Sequence, residues 1–201
     1  MATFFESISI KTINVEKIAL LLSSLLLASC LGRPDGVSPV EQLDTQRYLG
    51  TWYEVARLDH SFERGLSNVT ADYSMREDGG LRVINRGYSA EEGDWQQAEG
   101  RAYTIEEDQP GHLKVSFFGP FFGSYVVFEL DPDYQYAFVS GNTTNYLWLL
   151  ARTPSVSDAL KTHFLQRAEM LGFEVEDLIF VDQELNQNAV FGDAPASSEN
   201  D

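Results

Sequence analysis

The chain carries a single thiol, Cys30, and this residue has the most distinctive chemical surroundings in the sequence. A lone cysteine cannot form a disulfide within its own chain, so the usual role of cysteine in a secreted domain does not apply. An apolar run over residues 18–28 precedes Cys30, and Lys11 and Lys17 stand before that run. The run is shorter than the roughly 20 apolar residues that cross a bilayer, but it suits the centre of a signal peptide. The sequence therefore predicts processing near Cys30 and chemistry on its thiol.

Leu27, Ala28 and Ser29 stand directly before Cys30, and this pattern resembles the lipobox of bacterial lipoproteins. In such proteins a signal peptidase cleaves before the cysteine, and the thiol then carries a diacylglycerol. The resemblance implies a lipoprotein signal peptide over residues 1–29 and a lipidated Cys30. Residues 30–46, rich in Gly, Pro and Ser, would then form a tether. The alternative is an ordinary signal peptide with an incidental cysteine.

The residue after Cys30 bears on the membrane in which such an anchor would reside. It is Leu31 and not Asp, and in enteric-type sorting an Asp at this position retains a lipoprotein at the inner membrane. We therefore expect a lipid-anchored protein of the bacterial outer membrane that faces the periplasm. No later stretch is long and apolar enough for a membrane-spanning helix.

Motifs for other chemistry are missing from the sequence. It contains no H-E-x-x-H, no G-x-S-x-G, no P-loop and no paired cysteines. His60, His112 and His163 are scattered and lack the spacing of metal ligands. We therefore predict no catalytic residues, no metal site, no cofactor and no enzymatic activity.

The acidic composition limits the partners. The formal net charge of -17 opposes binding to nucleic acid, which needs clustered Lys and Arg. It also opposes adsorption to anionic lipid, so membrane attachment would come from acyl chains.

The 172 residues left after cleavage suffice for one domain, predicted over residues 47–183. Residues 184–201 are polar and acidic and are predicted to be disordered.

The middle of the chain alternates short β-rich runs with turn residues. The predicted strands cover residues 52–58, 69–75, 81–88, 96–104, 112–117, 124–130, 136–141 and 146–151. Turn residues such as Gly79-Gly80 separate neighbours, which favours an antiparallel up-and-down arrangement. A helical pattern follows, with Ser155 as the predicted cap and Gly172 at the end. Residues 178–181 form a short ninth strand. The fold class is thus all-β, an eight-stranded antiparallel barrel with one C-terminal helix.

The two-residue period of the strands indicates which side chains face inward. The inward positions mix large apolar residues with Ala, Gly, Asn and Gln, which would leave space in a barrel of this size for one small ligand. Small residues can also serve only to fit a taper. The predicted ligand-binding residues are Ala71, Tyr73, Val83, Asn85, Ala98, Val115, Phe117, Trp148 and Leu150.

Several ordered motifs resemble the lipocalin family, and specifically its bacterial outer-membrane members. They are residues 48–53 (YLGTWY), 62–66 (FERGL), 114–122 (KVSFFGPFF), 146–148 (YLW) and 150–154 (LARTP). The resemblance implies that Trp52 closes one barrel end and that Arg152 packs across its indole by a cation–π contact. Both residues would be structural. The disulfides of secreted animal lipocalins are missing, which fits the bacterial branch.

This resemblance implies a membrane-anchored carrier that stores or transports fatty acids or lysophospholipids for envelope maintenance. Two alternatives remain open at this point. One is an esterase or isomerase built on the same barrel, and the other is a structural envelope lipoprotein with a filled core.

Four aromatic residues are predicted to gather around the barrel mouth. Phe62 lies in the first hairpin loop, and Phe118, Phe121 and Phe122 lie in the fifth. Exposed apolar groups usually mark a contact surface. The candidates are a membrane, which a tether of 16 residues could let the mouth reach, a second copy in a homodimer, or a lid over the mouth.

Overall fold

The structure is a computed structural model that describes residues 31–191. Cys30, the predicted signal peptide and residues 192–201 lie outside the described residues. Among the helices of the described part, none combines the length and apolarity needed to cross a bilayer.

Nine strands of the described chain form one antiparallel sheet, and the first eight close into a barrel. The strands are β1 (Gly50–Leu58), β2 (Leu66–Met75), β3 (Leu81–Ser89), β4 (Asp94–Thr104), β5 (His112–Ser116), β6 (Gly123–Leu130), β7 (Tyr136–Ser140), β8 (Leu147–Ala151) and β9 (Leu178–Phe180). Sequence neighbours pair from β1 to β8, and β1 also pairs with β8, which closes the ring. The predicted fold class is confirmed. Strand β5 ends at Ser116, so Phe117 lies just beyond the strand in which it was predicted.

Alternate residues of the strands face two separate apolar cores. One core lies inside the barrel and contains Trp52, Tyr73 and Leu150. The other contains Phe138 of β7 and Phe164 of helix α2 (Asp158–Met170) on the outer face of the barrel. The helix is therefore structural, since its buried side packs on the outside of the barrel.

The cap of helix α2 lies two residues after the predicted cap. The hydroxyl of Ser157, not Ser155, accepts a hydrogen bond from the Leu160 amide at 3.2 Å. Ser155 lies in the preceding turn, where its carbonyl accepts a hydrogen bond from the Thr153 hydroxyl. Gly172, with φ of +79°, ends the helix as predicted.

The prediction of a tether over residues 30–46 is wrong for most of the segment. Val37 is buried in the outer core, and the Val40 amide donates to the Val127 carbonyl at 2.9 Å. The segment continues into a short helix, α1 (Thr45–Tyr48), which is capped by Asp44. Gly and Pro residues favoured the tether interpretation. The valines between them pack against apolar surfaces of the barrel, and local composition does not reveal these surfaces.

The prediction of disorder from residue 184 is also wrong for the first part of the tail. A 3₁₀ helix (Val175–Asp177) leads into β9, and helix α3 (Glu184–Phe191) follows. The Leu185 amide donates to Asn68 Oδ1 at 2.8 Å. Pairing with a residue of β2 stabilises this polar segment, although its composition alone favours no folded structure.

Candidate ligand-binding site

Cross-strand registers identify the side chains that line the barrel. Residues directly opposite each other in an antiparallel pair point to the same face. Trp52 is opposite Ala71, Ala71 is opposite Asn85, and Asn85 is opposite Ala98. This row starts from the buried indole of Trp52, so it faces inward.

The other predicted lining residues belong to the same wall. Tyr73 and Val83 are opposite each other one step nearer to the start of β1, and Leu150 is buried with them. The remaining three, Val115, Phe117 and Trp148, are partly buried and pack against this inner cluster. Phe117 lies over Gly100, where an added Cβ would come within 2.9 Å of its ring. All nine predicted residues are therefore placed along one inner wall.

The interior is filled at one end and open at the other. Near the start of β1, Tyr73, Val83 and Leu150 are buried. Farther along the wall Asn85 is half-buried and Ala98 is exposed, although both face inward. An inward alanine in a filled core would be buried, so water enters the barrel from this side. We call the buried side the closed end and the accessible side the mouth.

Trp52 and Arg152 seal the closed end, in the arrangement that the resemblance implied. The guanidinium carbon of Arg152 lies 3.9 Å from the centroid of the Trp52 ring. The same guanidinium donates to the carbonyls of Thr51, Arg47 and Leu49 at 2.8, 2.8 and 2.9 Å. Arg152 thus ties the α1 segment to the start of β1 while it covers the indole.

Three tyrosines form the floor of the cavity, and sequence reasoning found only Tyr73. The hydroxyl of Tyr125 lies 2.8 Å from that of Tyr48 and 3.0 Å from that of Tyr73. Burial raises the pKa of all three phenols, so they stay protonated at neutral pH. Tyr125 follows the inward alternation of β6 and could have been found, whereas Tyr48 lies before the first predicted strand, where no two-residue period indicates its direction.

A polar cluster from β1 and the first hairpin loop lies in the barrel and was missed from the sequence. Glu54 is opposite Leu150, and Arg57 is opposite Trp148. Arg57 Nη1 donates to Glu54 Oε1 at 2.7 Å, and its Nη2 donates to the carbonyl of Glu63 at 2.9 Å. Strict alternation from Trp52 predicts Glu54 inward. It does not predict Arg57 there, because a β-bulge after Glu54 shifts the register.

Glu63 completes this cluster from the loop. Its Oε2 accepts a hydrogen bond from Trp148 Nε1 at 3.2 Å and lies 3.2 Å from His60 Nε2. Burial, then the charge of Glu63, raises the pKa of Glu54 well above its ordinary value. Burial alone would raise the pKa of Glu63, but contacts with His60 and Trp148 bring it below the ordinary value. The two shifts are opposite in sign, so Glu54 binds a proton more readily than Glu63.

The four predicted mouth aromatics do not form one cluster. Phe118 and Phe121 are 77% and 73% exposed, and Phe62 is 55% exposed while its ring stacks on His60 at 3.9 Å. Phe122 instead packs against Tyr103 on the outer face, with ring centroids 6.2 Å apart. The exposed rings of the β5–β6 loop do not cover the mouth as a lid.

A separate cleft of about 570 Å³ lies beside the mouth, between the first hairpin loop, Asn145 and Glu174.

A serine–histidine contact in the described chain lies away from the cavity. His112 Nε2 lies 2.8 Å from Ser124 Oγ. His112 is opposite Val126, which belongs to the outer core, so the contact is on the outer face. This arrangement offers no access for a substrate held inside the barrel.

A barrel with a sealed floor, largely apolar walls that include a few polar groups, and an accessible mouth defines a protein that binds small apolar ligands. The model of a protein family described as "Lipocalin-like domain" matches residues 43–183. The outer membrane lipoprotein Blc of Vibrio cholerae serotype O1 is 58% identical over 171 residues, 85% of this chain and 100% of the relative. The protein of the same name in Escherichia coli K12 is 50% identical over 168 residues, 83% of this chain and 95% of the relative. The chain belongs to the lipocalin family.

Solved structures agree with this fold at lower identity. Insecticyanin of the tobacco hornworm Manduca sexta superposes with a TM-score of 0.61 at 19% identity, over 75% of this chain and 86% of that one. The bacterial relatives confirm the predicted class, a lipid-binding lipoprotein anchored at the outer membrane. Acylation of Cys30 and exposure to the periplasm stay predictions, since Cys30 lies outside the described residues.

Proposed function

We propose that the barrel binds the single acyl chain of a fatty acid or a lysophospholipid, and that the protein stores or transports such lipids for envelope maintenance. The observation that carries this proposal is the exposed, inward-facing Ala98 above a buried floor. A structural lipoprotein with a filled core would bury this position.

The walls suit one acyl chain better than two. Burial of each methylene contributes about 0.8 kcal/mol, so a chain with about ten buried methylenes gains on the order of 8 kcal/mol before the costs of association. An eight-stranded barrel has room for little more than one small ligand once its side chains are in place. A single-tailed amphiphile therefore fits the proposal best.

One polar group of the wall favours a lysophospholipid over a fatty acid. Asn85 Oδ1 is buried and has no hydrogen-bond partner among the described residues. A buried acceptor without a donor is costly, and a ligand hydroxyl would satisfy it. The glycerol of a lysophospholipid carries such a hydroxyl, whereas an ionised fatty acid has no donor.

The experiment that tests the site compares substitutions on opposite faces of β2. Ala71→Trp fills the inner wall, while Thr70→Trp adds the same ring at the neighbouring outward position, opposite Arg86. We expect the affinity for a fluorescent fatty acid to fall at least tenfold in Ala71→Trp and to change little in Thr70→Trp. Equal affinities in both variants would contradict the assigned wall, and Val115→Trp provides an independent repeat.

Lipid extraction from the purified protein, followed by mass spectrometry, separates a carrier from a structural lipoprotein. A carrier should release a single-tailed lipid in near-stoichiometric amount. Lack of catalysis likewise stays a prediction. It is tested by turnover of p-nitrophenyl esters, which should not exceed the background rate in the wild type or in Ser124→Ala.

The proposed anchor is the diacylglycerol on Cys30, which follows removal of residues 1–29. Cys30→Ser should release the protein from the outer-membrane fraction or leave it unprocessed. A processed Cys30→Ser protein that still fractionates with the outer membrane would contradict the lipobox interpretation.

A further inference from the structure

The connection between the anchor and the barrel is short. Arg33 Nη1 donates to Gln109 Oε1 at 2.7 Å, Pro34 is buried, and Val37 is 2% exposed in the outer core. Three Cα steps separate Cys30 from Arg33, which limits their Cα distance to about 11 Å. The acyl chains on Cys30 would therefore stay close to Gln109.

Gln109 lies at the closed end of the barrel. It belongs to the loop between β4 and β5, and the strands that flank this loop bring Ala102 and Leu113 into the inner cluster of Trp52. Because consecutive strands alternate in direction, this loop shares its end with the start of β1. The Val127 amide of β6 donates to the Gly111 carbonyl at 2.8 Å. The loop and Val40 of the N-terminal segment are therefore bonded to the same residue of β6.

The N-terminal segment is packed too tightly to swing around the barrel. An added Cβ on Gly111 would come within 2.8 Å of Val40. Freeing this segment would expose the buried Val37 and break the bond from Val40 to Val127.

The mouth is too far from Cys30 to meet the same bilayer. Strand β4 has 11 residues and runs from the mouth to the closed end. At about 3.3 Å per residue and a tilt near 40°, it spans roughly 28 Å along the barrel axis. This distance exceeds the reach of about 11 Å from Arg33 to Cys30 more than twofold.

We propose that the closed end of the barrel faces the bilayer that holds the acyl chains of Cys30, and that the mouth opens away from it into the aqueous compartment. This inference rests on the proposed anchor. A mouth held away from its own bilayer must take up amphiphiles that diffuse through water as monomers. Single-tailed lipids desorb from membranes far more readily than diacyl lipids do.

The test uses the acylated protein in vesicles of zwitterionic phosphatidylcholine that contain a nitroxide-labelled lipid. Asp108→Cys places a fluorophore on the exposed closed-end loop, and Glu91→Cys places it on the exposed turn between β3 and β4 at the mouth. Acylated Cys30 does not react with the label. We expect several-fold stronger quenching for the closed-end label. Equal or reversed quenching in protein that remains vesicle-bound would overturn the orientation alone.

A tether extension provides the matched control. A Gly-Ser segment of about 15 residues inserted between Gly32 and Arg33 reaches up to roughly 50 Å when extended. The difference between the two labels should collapse in this variant, with an unchanged thermal transition. If the wild type does not associate with vesicles at all, the proposed anchor fails together with the orientation. Binding of a fluorescent fatty acid by the Cys30→Ser form tests the cavity separately.

The kinetics of uptake test the consequence for the ligand. With a fixed amount of fluorescent lysophospholipid in donor vesicles, the first-order rate constant of uptake should be independent of the concentration of the acceptor vesicles that carry the anchored protein, because desorption limits the rate. A rate constant that rises in proportion to the acceptor concentration would indicate contact between the two vesicle surfaces and would overturn aqueous uptake.

Discussion

Arg152 shows how one side chain can organise a barrel end. Its planar guanidinium stacks on Trp52 and still directs separate N–H groups to carbonyls of three residues before and within β1. A lysine has the same charge, but its single ammonium cannot cover an indole face and reach several carbonyls in a fixed fan. The positive charge of a lysine alone would therefore not maintain the seal.

Arg152→Lys should lower the free energy of unfolding by about 2–4 kcal/mol, because it leaves at least one carbonyl unpaired and loses the planar stacking. Urea denaturation at neutral pH measures the change. Arg82→Lys is the matched control, since Arg82 forms an exposed pair with Glu99 and should change stability by less than about 1 kcal/mol. An equal effect in both variants would contradict the role of Arg152.

Glu54 and Glu63 affect stability in opposite directions with pH. The raised pKa of Glu54 means that its contribution is present below the ordinary value of 4.5 and is lost as pH rises through the folded-state pKa. The lowered pKa of Glu63 means that its contribution is present above 4.5 and is lost as pH falls through the folded-state pKa.

Glu54→Gln should therefore gain stability relative to the wild type as pH rises from about 5 to 8, because the wild-type carboxyl ionises and the amide does not. Glu63→Gln should behave in the opposite sense and be least stable relative to the wild type near neutral pH. Urea unfolding across this pH range measures both trends. Parallel curves for the two variants would contradict the opposite pKa shifts of Glu54 and Glu63.

At the scale of elements, the seam between β1 and β2 depends on the C-terminal segment. The two strands pair only between residues 50–53 and 70–73. Beyond this stretch Gln183 Nε2 donates to the carbonyls of Glu54 and Val69 at 2.8 and 2.9 Å. One side-chain amide thus replaces ladder bonds where the strands separate.

Gln183→Ala should lower the free energy of unfolding by about 2–4 kcal/mol, because it leaves two buried carbonyls without donors. Gln97→Ala on the exposed part of β4 is the control and should change stability by less than about 0.5 kcal/mol. Chemical denaturation compares the two. A neutral Gln183→Ala would show that water or another group satisfies the seam.

The loop between β5 and β6 presents an exposed apolar surface, formed by Phe118 and Phe121. In the proposed orientation the mouth lies away from the anchoring bilayer, so we propose that this surface pairs with a second copy of the chain. Phe122 is excluded from the surface because it packs on Tyr103.

The double variant Phe118→Ser, Phe121→Ser should abolish self-association in sedimentation equilibrium and leave the thermal transition nearly unchanged. Phe122→Ser is the contrasting variant, and it should lower the transition temperature by loss of packing. A double variant that unfolds more easily than Phe122→Ser would place the two rings in the core instead.

At the scale of the whole molecule, the net charge of -17 makes the acidic groups of the folded chain repel one another. Self-repulsion of a highly charged compact state destabilises it, and salt screens this repulsion with a Debye length of about 10 Å at 0.1 M. The free energy of unfolding should therefore rise as NaCl increases from about 20 to 200 mM. KCl should act equally, because screening does not distinguish the cations, and a flat response would contradict the role of self-repulsion.

The barrel could be predicted from the sequence because its signals are local. Each strand shows the two-residue period, turn residues separate the strands, and the apolar run before Cys30 needs no partner to be recognised. The inner wall follows from the same period, which assigns residues such as Ala71 and Val83 to one face. These features depend on residues only a few positions apart.

Only the tertiary structure decided the features that join distant segments. The bulge after Glu54 turns Arg57 inward, Tyr48 meets Tyr125 across 77 positions, and Gln183 bridges β1 and β2. Val37 looks like part of a linker until the outer core offers an apolar surface to cover it. Local composition carries no information about such a surface, because burial depends on what the rest of the chain brings alongside.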